Sequence, residues 1–438
     1  MMDPFVYWRF IGLAFYAISI LLALNLLIWK GKFKVLNKIY KLVDWINGNL
    51  KKWNLKHIVV ISMIFFAVFA AVHYITIDAA PDYYEDALNY YVPSGEHLIS
   101  GENPYSNLTE AEGIKGGISH GILFPLINGI GVLIGDLLGV AIVWSFIGFL
   151  IPSLVYLLCK EYIKDNLLRV YAALLSIFIP GIIFFDARYI QDDLFIVPAI
   201  FIPLLLLKKE RFIEAGIMAG VLGHLKYISV LVFSLILFAL IISDKRVQKS
   251  VRRYFHCAIF LAISYLIIFL LTYFLYGFDF YQRAYLYILT GRDATAFISF
   301  SLFGDIGLFG VIIIMAIICL FPVFFKIKTD CIGLSVFIIC ALALVIPLFN
   351  YEQMVWLITP LLIYLMHRFQ TSYNSISKLI LLSPFSAIAL SALTDVCALV
   401  GAFGDDNILI IIKITFTCSI ALVLLHMGKY LKINKGPS

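Results

Sequence analysis

The stretch Ile58-Val-Val-Ile-Ser-Met-Ile-Phe-Phe-Ala-Val-Phe-Ala-Ala-Val-His-Tyr-Ile-Thr-Ile77, running on into Asp78-Ala-Ala-Pro81-Asp82-Tyr-Tyr-Glu85-Asp86, decides the fold. Its first part is apolar, without an Asp, Glu, Lys or Arg, and has the ~20 residues that carry a helix across a bilayer core. Four carboxylates, Asp78, Asp82, Glu85 and Asp86, follow at once. A membrane helix ending in an acidic outer loop is the simplest reading of that junction.

The rest of the chain supports the membrane. Its 438 residues are 62% hydrophobic and 14% charged, against roughly 25% charged in a soluble domain. A single soluble core stops growing near ~300 residues and could not hide this much apolar surface. The mean hydropathy is +0.98. The net charge of +6 is not a nucleic-acid footprint, because the basic residues sit in short clusters between apolar runs, as the positive-inside rule expects. The seven cysteines lie in or beside apolar segments and form no C-x-x-C pair, so neither a disulfide framework nor a cysteine metal site is indicated.

The apolar runs are 7–28, 58–77, 140–159, 170–185, 194–207, 212–226, 227–243, 254–276, 306–325, 331–349, 354–366, 379–400 and 408–427. The first lacks a basic leader and a small-residue cleavage site and reads as a retained helix. Several are shorter than a crossing requires, which points to broken or cavity-lining helices. The stretch Gly121–Gly139 is also apolar, but Pro125, Gly129, Gly131 and Gly135 interrupt it. Treating it as a re-entrant or juxtamembrane helix puts every basic cluster on one side: Lys30–Lys56, Lys160–Arg169, Lys208–Arg211, Lys245–Arg253, Lys326–Lys328, Arg368–Lys378 and Lys429–Lys435. The expectation is an all-α, polytopic transmembrane helical bundle of about 13 crossings. Its N-terminus is outside, its C-terminus inside, and the first outer loop holds juxtamembrane helices. The stretch Lys30–Lys56 carries apolar residues at helical spacing and reads either as a helix on anionic lipid or as a plain basic connector.

Four outer elements carry candidate chemistry. In the loop 78–120, Asp82, Glu85 and Asp86 crowd within about a turn. Such carboxylates raise one another's pKa unless a cation offsets them. One held near a hydroxyl can act as general base, and several can hold a divalent metal. The same residues also suit a solvated acidic loop. The turn Asp186-Ala-Arg188-Tyr-Ile-Gln191-Asp192-Asp193 is denser in charge than a connection needs. Lys226 stands at the top of two short helices, where a cation either snorkels or binds an anion. Arg283 and Arg292 lie in the segment 277–305, and arginine can clamp phosphate. Cations and carboxylates together suit a phosphate-bearing donor and an acceptor to be activated. Neither a P-loop nor a Rossmann fingerprint is present.

In ordered short motifs over the first 230 residues or so, the sequence resembles the GT-C superfamily of integral membrane glycosyltransferases. In particular it resembles the polyprenyl-phosphate-mannose-dependent mannosyltransferase-like branch. An acidic residue after a membrane helix, then tyrosines, then Gly101-Glu-Asn103-Pro104-Tyr105 resembles that branch's first outer loop. The stretch Pro180…Arg188-Tyr-Ile-Gln191-Asp192-Asp193-Leu194 is similar to its second. Ala215-Gly216-Ile-Met-Ala-Gly220…His224-Leu-Lys226 is similar to its Ala-Gly…Gly…Lys segment. The family's Pro-Pro-Leu appears only as Phe124-Pro125-Leu126.

The resemblance implies transfer of a hexose, mannose included, from a polyprenyl-phosphate donor to a glycan, lipid or protein acceptor on the extracytoplasmic face. It implies Asp86 as base, with Asp82 as the alternative. Glu85, Tyr105, Arg188, Gln191, Asp192, Asp193, Lys226, Arg283 and Arg292 would then be the substrate-facing set. No cofactor is assigned, and a divalent metal stays open. Membrane lipids are expected partners and nucleic acid is not. The chain would be one integral membrane domain. Residues 1–57 would add a helix and a basic loop, 58–253 would form the catalytic module, and 254–438 would supply variable helices. Two other readings stand beside this one. A transporter or lipid flippase would account for the broken helices and Lys226, and a non-catalytic membrane subunit would need no site. Asn107-Leu-Thr109 is an N-glycosylation sequon in the outer loop.

Overall fold

A computed structural model describes residues 5–31, 37–105, 120–226, 228–243, 248–282, 331–345, 354–371 and 384–393. Among the described residues the secondary structure is helical throughout, with no strand. The helices are α1 (Phe5–Gly31), α2 (Asn37–Leu50), α3 (Leu55–Thr76), α4 (Val92–Ile99), α5 (Leu123–Tyr162), α6 (Asn166–Phe178), α7 (Phe184–Tyr189), α8 (Ile196–Lys208), α9 (Phe212–Leu222), α10 (Ile228–Ser243), α11 (Gln248–Tyr281), α12 (Cys331–Val345) and α13 (Met354–Thr371). Short turns of 3-10 helix at Pro81–Tyr84 and π-helix at Ala87–Tyr91 precede α4, so the first loop does hold short helices.

Among the described residues, α1, α3, α5 and α11 are long and apolar enough to cross a membrane. The apolar surface of α11 faces outward: Phe274 is 80% exposed and Leu275 72%. Such contiguous exposed apolar surface needs a cover, and lipid supplies one.

The chain splits into two compact units. The first comprises Met1–Tyr84, Ala141–Val197 and Met354–Asp395. Its centre is α6, where every residue from Val170 to Phe178 is buried. The apolar run 170–185 is not one helix: α6 stops at Phe178, before Pro180, whose missing N–H cannot continue it.

One end of this unit is basic. There Lys30 pairs with Asp165 at 3.3 Å, and Asp165 also caps α6 through the Leu167 N–H at 3.0 Å. Asn166 Nδ2 donates to the carbonyls of Lys51 and Trp53, both at 2.9 Å. The Lys164 N–H donates to Gln370 Oε1 at 2.8 Å. Described residues of three basic clusters, Lys30 and Lys51, Lys164, and Gln370 near Arg368, therefore lie at the end where α3 begins. Asn54 caps α3 there, accepting from the Lys56 N–H at 3.0 Å.

The other end lies one helix length away, ~33 Å along the 22 residues of α3. That matches the ~30 Å hydrocarbon core. Here His73 of α3 meets α7, and Trp8 of α1 stands edge-on to His73, ring centroids 4.9 Å apart. The second half of α5 starts at this end, with Trp144 against Phe195 at 4.3 Å, and Gly148 beside Leu194 and Ile183. It finishes at the basic end, where Tyr156 donates to Asn166. The chain thus leaves this unit at Tyr84 and returns at Ala141 on the same end.

The second unit comprises Glu85–Val140, Pro198–Gln353 and Val396–Ser438. Its first arm folds back on itself. The assigned helix α5 is broken at Gly135 (φ 163°, ψ 56°) and Asp136 (φ 47°, ψ −130°). Nine residues of continuous helix would separate Gly131 from Val140 by ~13.5 Å. Instead, a methyl on Gly131 would stand 2.6 Å from the Val140 Cα, and one on Gly139 would strike the Gly131 carbonyl. The chain doubles back, and only glycine permits this approach. The arm 123–134 is ~18 Å long, against a hydrocarbon core of ~30 Å.

Candidate active site

In the first unit, polar groups gather where α3, the Pro81–Tyr84 turn and α7 meet. His73 Nε2 donates to the Ala187 carbonyl at 3.0 Å and ties α3 to α7. The Tyr84 hydroxyl bonds Thr76 Oγ1 at 2.7 Å and is fully enclosed. Burial pushes its pKa above the usual phenol value, and the Thr76 bond and the Arg188 charge offset part of that.

The turn after α7 is held by the Gln191 N–H, which donates to the Asp186 carbonyl at 2.8 Å. This six-to-one bond places Ile190 at the left-handed closing position (φ 55°, ψ 50°) where glycine is usual. A β-branched residue held there costs ~1–3 kcal/mol and persists only because packing over-determines it. Asp186, Asp192 and Asp193 are all buried, at 3%, 8% and 2% exposure, and none of them lacks a partner. Arg188 and Gln191 are half-buried, and the Arg188 guanidinium lies 4.9 Å from the Tyr189 ring centroid. Buried carboxylates in so apolar a surrounding are costly unless paired, which makes this turn a candidate functional position. A carboxylate there can take a hydroxyl proton, and a half-exposed Arg can hold an anionic oxygen.

The second unit holds the other candidates. Glu85 is exposed and Asp86 half-buried, immediately before the π-helical turn Ala87–Tyr91. Such turns are rare and recur at functional sites. The following helix α4 is clamped to the hairpin. Asn128 Nδ2 donates to Ser94 Oγ at 3.1 Å, a methyl on Gly95 would meet the Asn128 carbonyl carbon at 2.8 Å, and Tyr91 packs edge-on to Phe124.

The Gly-x-Asn-Pro-Tyr stretch closes this loop. Asn103 Oδ1 accepts from the Tyr105 N–H at 3.0 Å, and Asn103 Nδ2 donates to Asp279 at 3.2 Å. The Tyr105 ring is fully buried against Tyr276 and Phe280 of α11. That enclosure raises its hydroxyl pKa well above the usual value and gives it an anchoring role.

The Ala-Gly…Gly…Lys segment is a packing device with a polar end. Gly216 and Gly220, four apart, lie against the α11 backbone, where methyls would strike the Cys257 carbonyl and Ser264 Oγ. Small residues at this spacing let membrane helices approach closely. Beyond them, His224 stacks on Tyr265 with centroids 4.3 Å apart and donates from Nε2 to the Tyr265 carbonyl at 3.0 Å. Gly121 packs on His224, and half-buried Lys226 follows.

The first and third motifs thus belong to one unit, and the second motif to the other. The Asp82 side chain, Arg283 and Arg292 lie outside the described residues. Among the described residues, no group of three or more His, Cys, Asp or Glu is arranged to hold a metal ion.

Sequence reading passes over His73 and Tyr84 and names Asp186 only as part of its turn. The available signal was His73, the one histidine in its apolar run, since such residues inside membrane helices are rarely idle. No protein-family model matches the chain, and no curated protein matches it.

Proposed function

We propose that the chain is a multi-pass membrane glycosyltransferase that moves a hexose from a polyprenyl-phosphate donor to an acceptor on the extracytoplasmic face. It would adopt a GT-C-like bundle of about 13 crossings. The reading starts from the three ordered motifs. The observation that carries it is the shared exit and return of the chain at one end of the first unit. The acidic loop therefore departs from the same end as the buried Asp186–Asp193 turn, opposite the basic clusters.

In this account Asp86 is the general base, with Asp82 as the alternative. Arg188, Lys226, Arg283 and Arg292 are the cations available to the donor phosphate. Glu85, Gln191, Asp192 and Asp193 orient the sugar and acceptor, and Tyr105 fixes the loop.

The test is release of labelled sugar from a polyprenyl-phosphate hexose by the purified full-length protein, with membrane lipid and glycan extracts as acceptors. Asp86→Asn should lower turnover by ~10²–10⁴, the range of a general base. Equal turnover in wild type, Asp86→Asn and Asp82→Asn would remove the base assignment. The 11-residue α9 and the doubled-back arm of α5 favour one other reading, a transporter or flippase with broken helices. Lipid or solute flux in proteoliposomes without sugar release would select it.

A further inference from the structure

We infer that α2 lies in the headgroup region of the bilayer on the basic side and binds anionic lipid there. This claim is independent of the proposed enzymatic activity. One face of α2 is fastened to the bundle: Val43, Asn47 and Leu50 are buried. Asn47 is the fastener. Its Nδ2 donates to Asn25 Oδ1 of α1 at 3.3 Å, and its Oδ1 accepts from the Tyr171 hydroxyl of α6 at 2.6 Å.

A second face is apolar and turned outward. Ile39, Leu42 and Trp45, three apart, form one ridge and are 39%, 55% and 68% exposed. Lys38 and Lys41 flank the ridge and are exposed. A ridge of this kind facing bulk water would cost burial that α2 could have found by rotating. It cannot rotate, because Asn47 is held from two sides.

Place and charge name the occupant. The helix α2 sits between the membrane-length α1 and α3, at the end where the basic clusters meet. The stretch 30–56 carries eight lysines and one aspartate. An apolar ridge with tryptophan, rimmed by lysine, matches an anionic leaflet surface, where apolar side chains enter the acyl boundary and lysines stay at the phosphates.

The experiment uses full-length protein in bilayers doped with brominated lipid. Trp45 is read as the difference between wild-type and Trp45→Phe emission. Bromines near the glycerol backbone should quench Trp45, and brominated phosphatidylglycerol should quench it several-fold more than the same fraction of brominated phosphatidylcholine, at about fivefold per interacting lysine. Lys38→Gln with Lys41→Gln should narrow the difference between the two lipids several-fold while quenching persists. A nitroxide at Leu42, more accessible to oxygen than to a polar nickel chelate, reads the same depth without Trp45. An unquenched, water-exposed Trp45 overturns the inference. So does an unquenched but blue-shifted Trp45, which would mean a protein partner, and so does equal quenching by both lipids in the wild type.

Discussion

At the scale of single residues, the polar end of the first unit depends on groups whose partners are remote in sequence. His73 reaches Ala187, 114 positions away, and that distance is why an apolar run with one histidine gave no sign of the contact. The Asp186–Asp193 turn was legible as excess charge; the burial of its carboxylates was not, because burial depends on which helices close over it. Tyr84→Phe removes the bond to Thr76 and should cost ~0.5–1.5 kcal/mol, seen as a lowered melting temperature in detergent. Tyr84 and Tyr105 also carry a pH signature. Both stay protonated in the fold above the pH near 10 at which an unfolded tyrosine ionises. The native state then binds more protons, so stability is flat below about pH 10 and falls above it. Tyr84→Phe should reduce that fall in thermal unfolding from about pH 8 to about pH 11; an unchanged slope would count against the enclosure of Tyr84.

At the scale of elements, glycines separate the two units' logic from a plain bundle. Gly216 and Gly220 were read as part of a family-like motif, and the structure adds the reason those positions tolerate no side chain: α11 passes at backbone contact. Gly216→Ala or Gly220→Ala should destabilise by ~1–3 kcal/mol through overpacking, and larger side chains by more. A melt that is unchanged in both would contradict the close approach. The interruption of Gly121–Gly139 was visible in its Pro and Gly content. The reversal itself was not, since its geometry rests on Gly131 meeting Val140 across a break at Gly135–Asp136. Gly131→Val should open the hairpin and loosen α4, which is clamped to it through Gly95 and Asn128. Faster proteolysis of the 85–105 loop is the expected readout.

At the scale of the whole molecule, the proposed account rests on a crossing parity expected from charge sorting. The sorting of lysines and arginines required Gly121–Gly139 not to cross. The bonds from Asn166 to Lys51 and Trp53, and from Lys164 to Gln370, bring described residues from three of those clusters to one end of the first unit. The all-helical class with membrane-length helices was legible because a bilayer imposes a length rule on every segment. The break between α6 and α7 and the packing of each motif were not, because they depend on tertiary contacts. The central claim is that the acidic loop faces outward while the turns at Lys52 and Lys164 face inward. Single cysteines placed by Glu102→Cys, Lys52→Cys and Lys164→Cys, with the seven native cysteines replaced, test it with a membrane-impermeant maleimide on intact cells. The account predicts labelling at position 102 in intact cells, and at 52 and 164 only after the membrane is opened. Labelling at 164 from outside, with 52 protected, would mean that 121–139 crosses the bilayer and would contradict it.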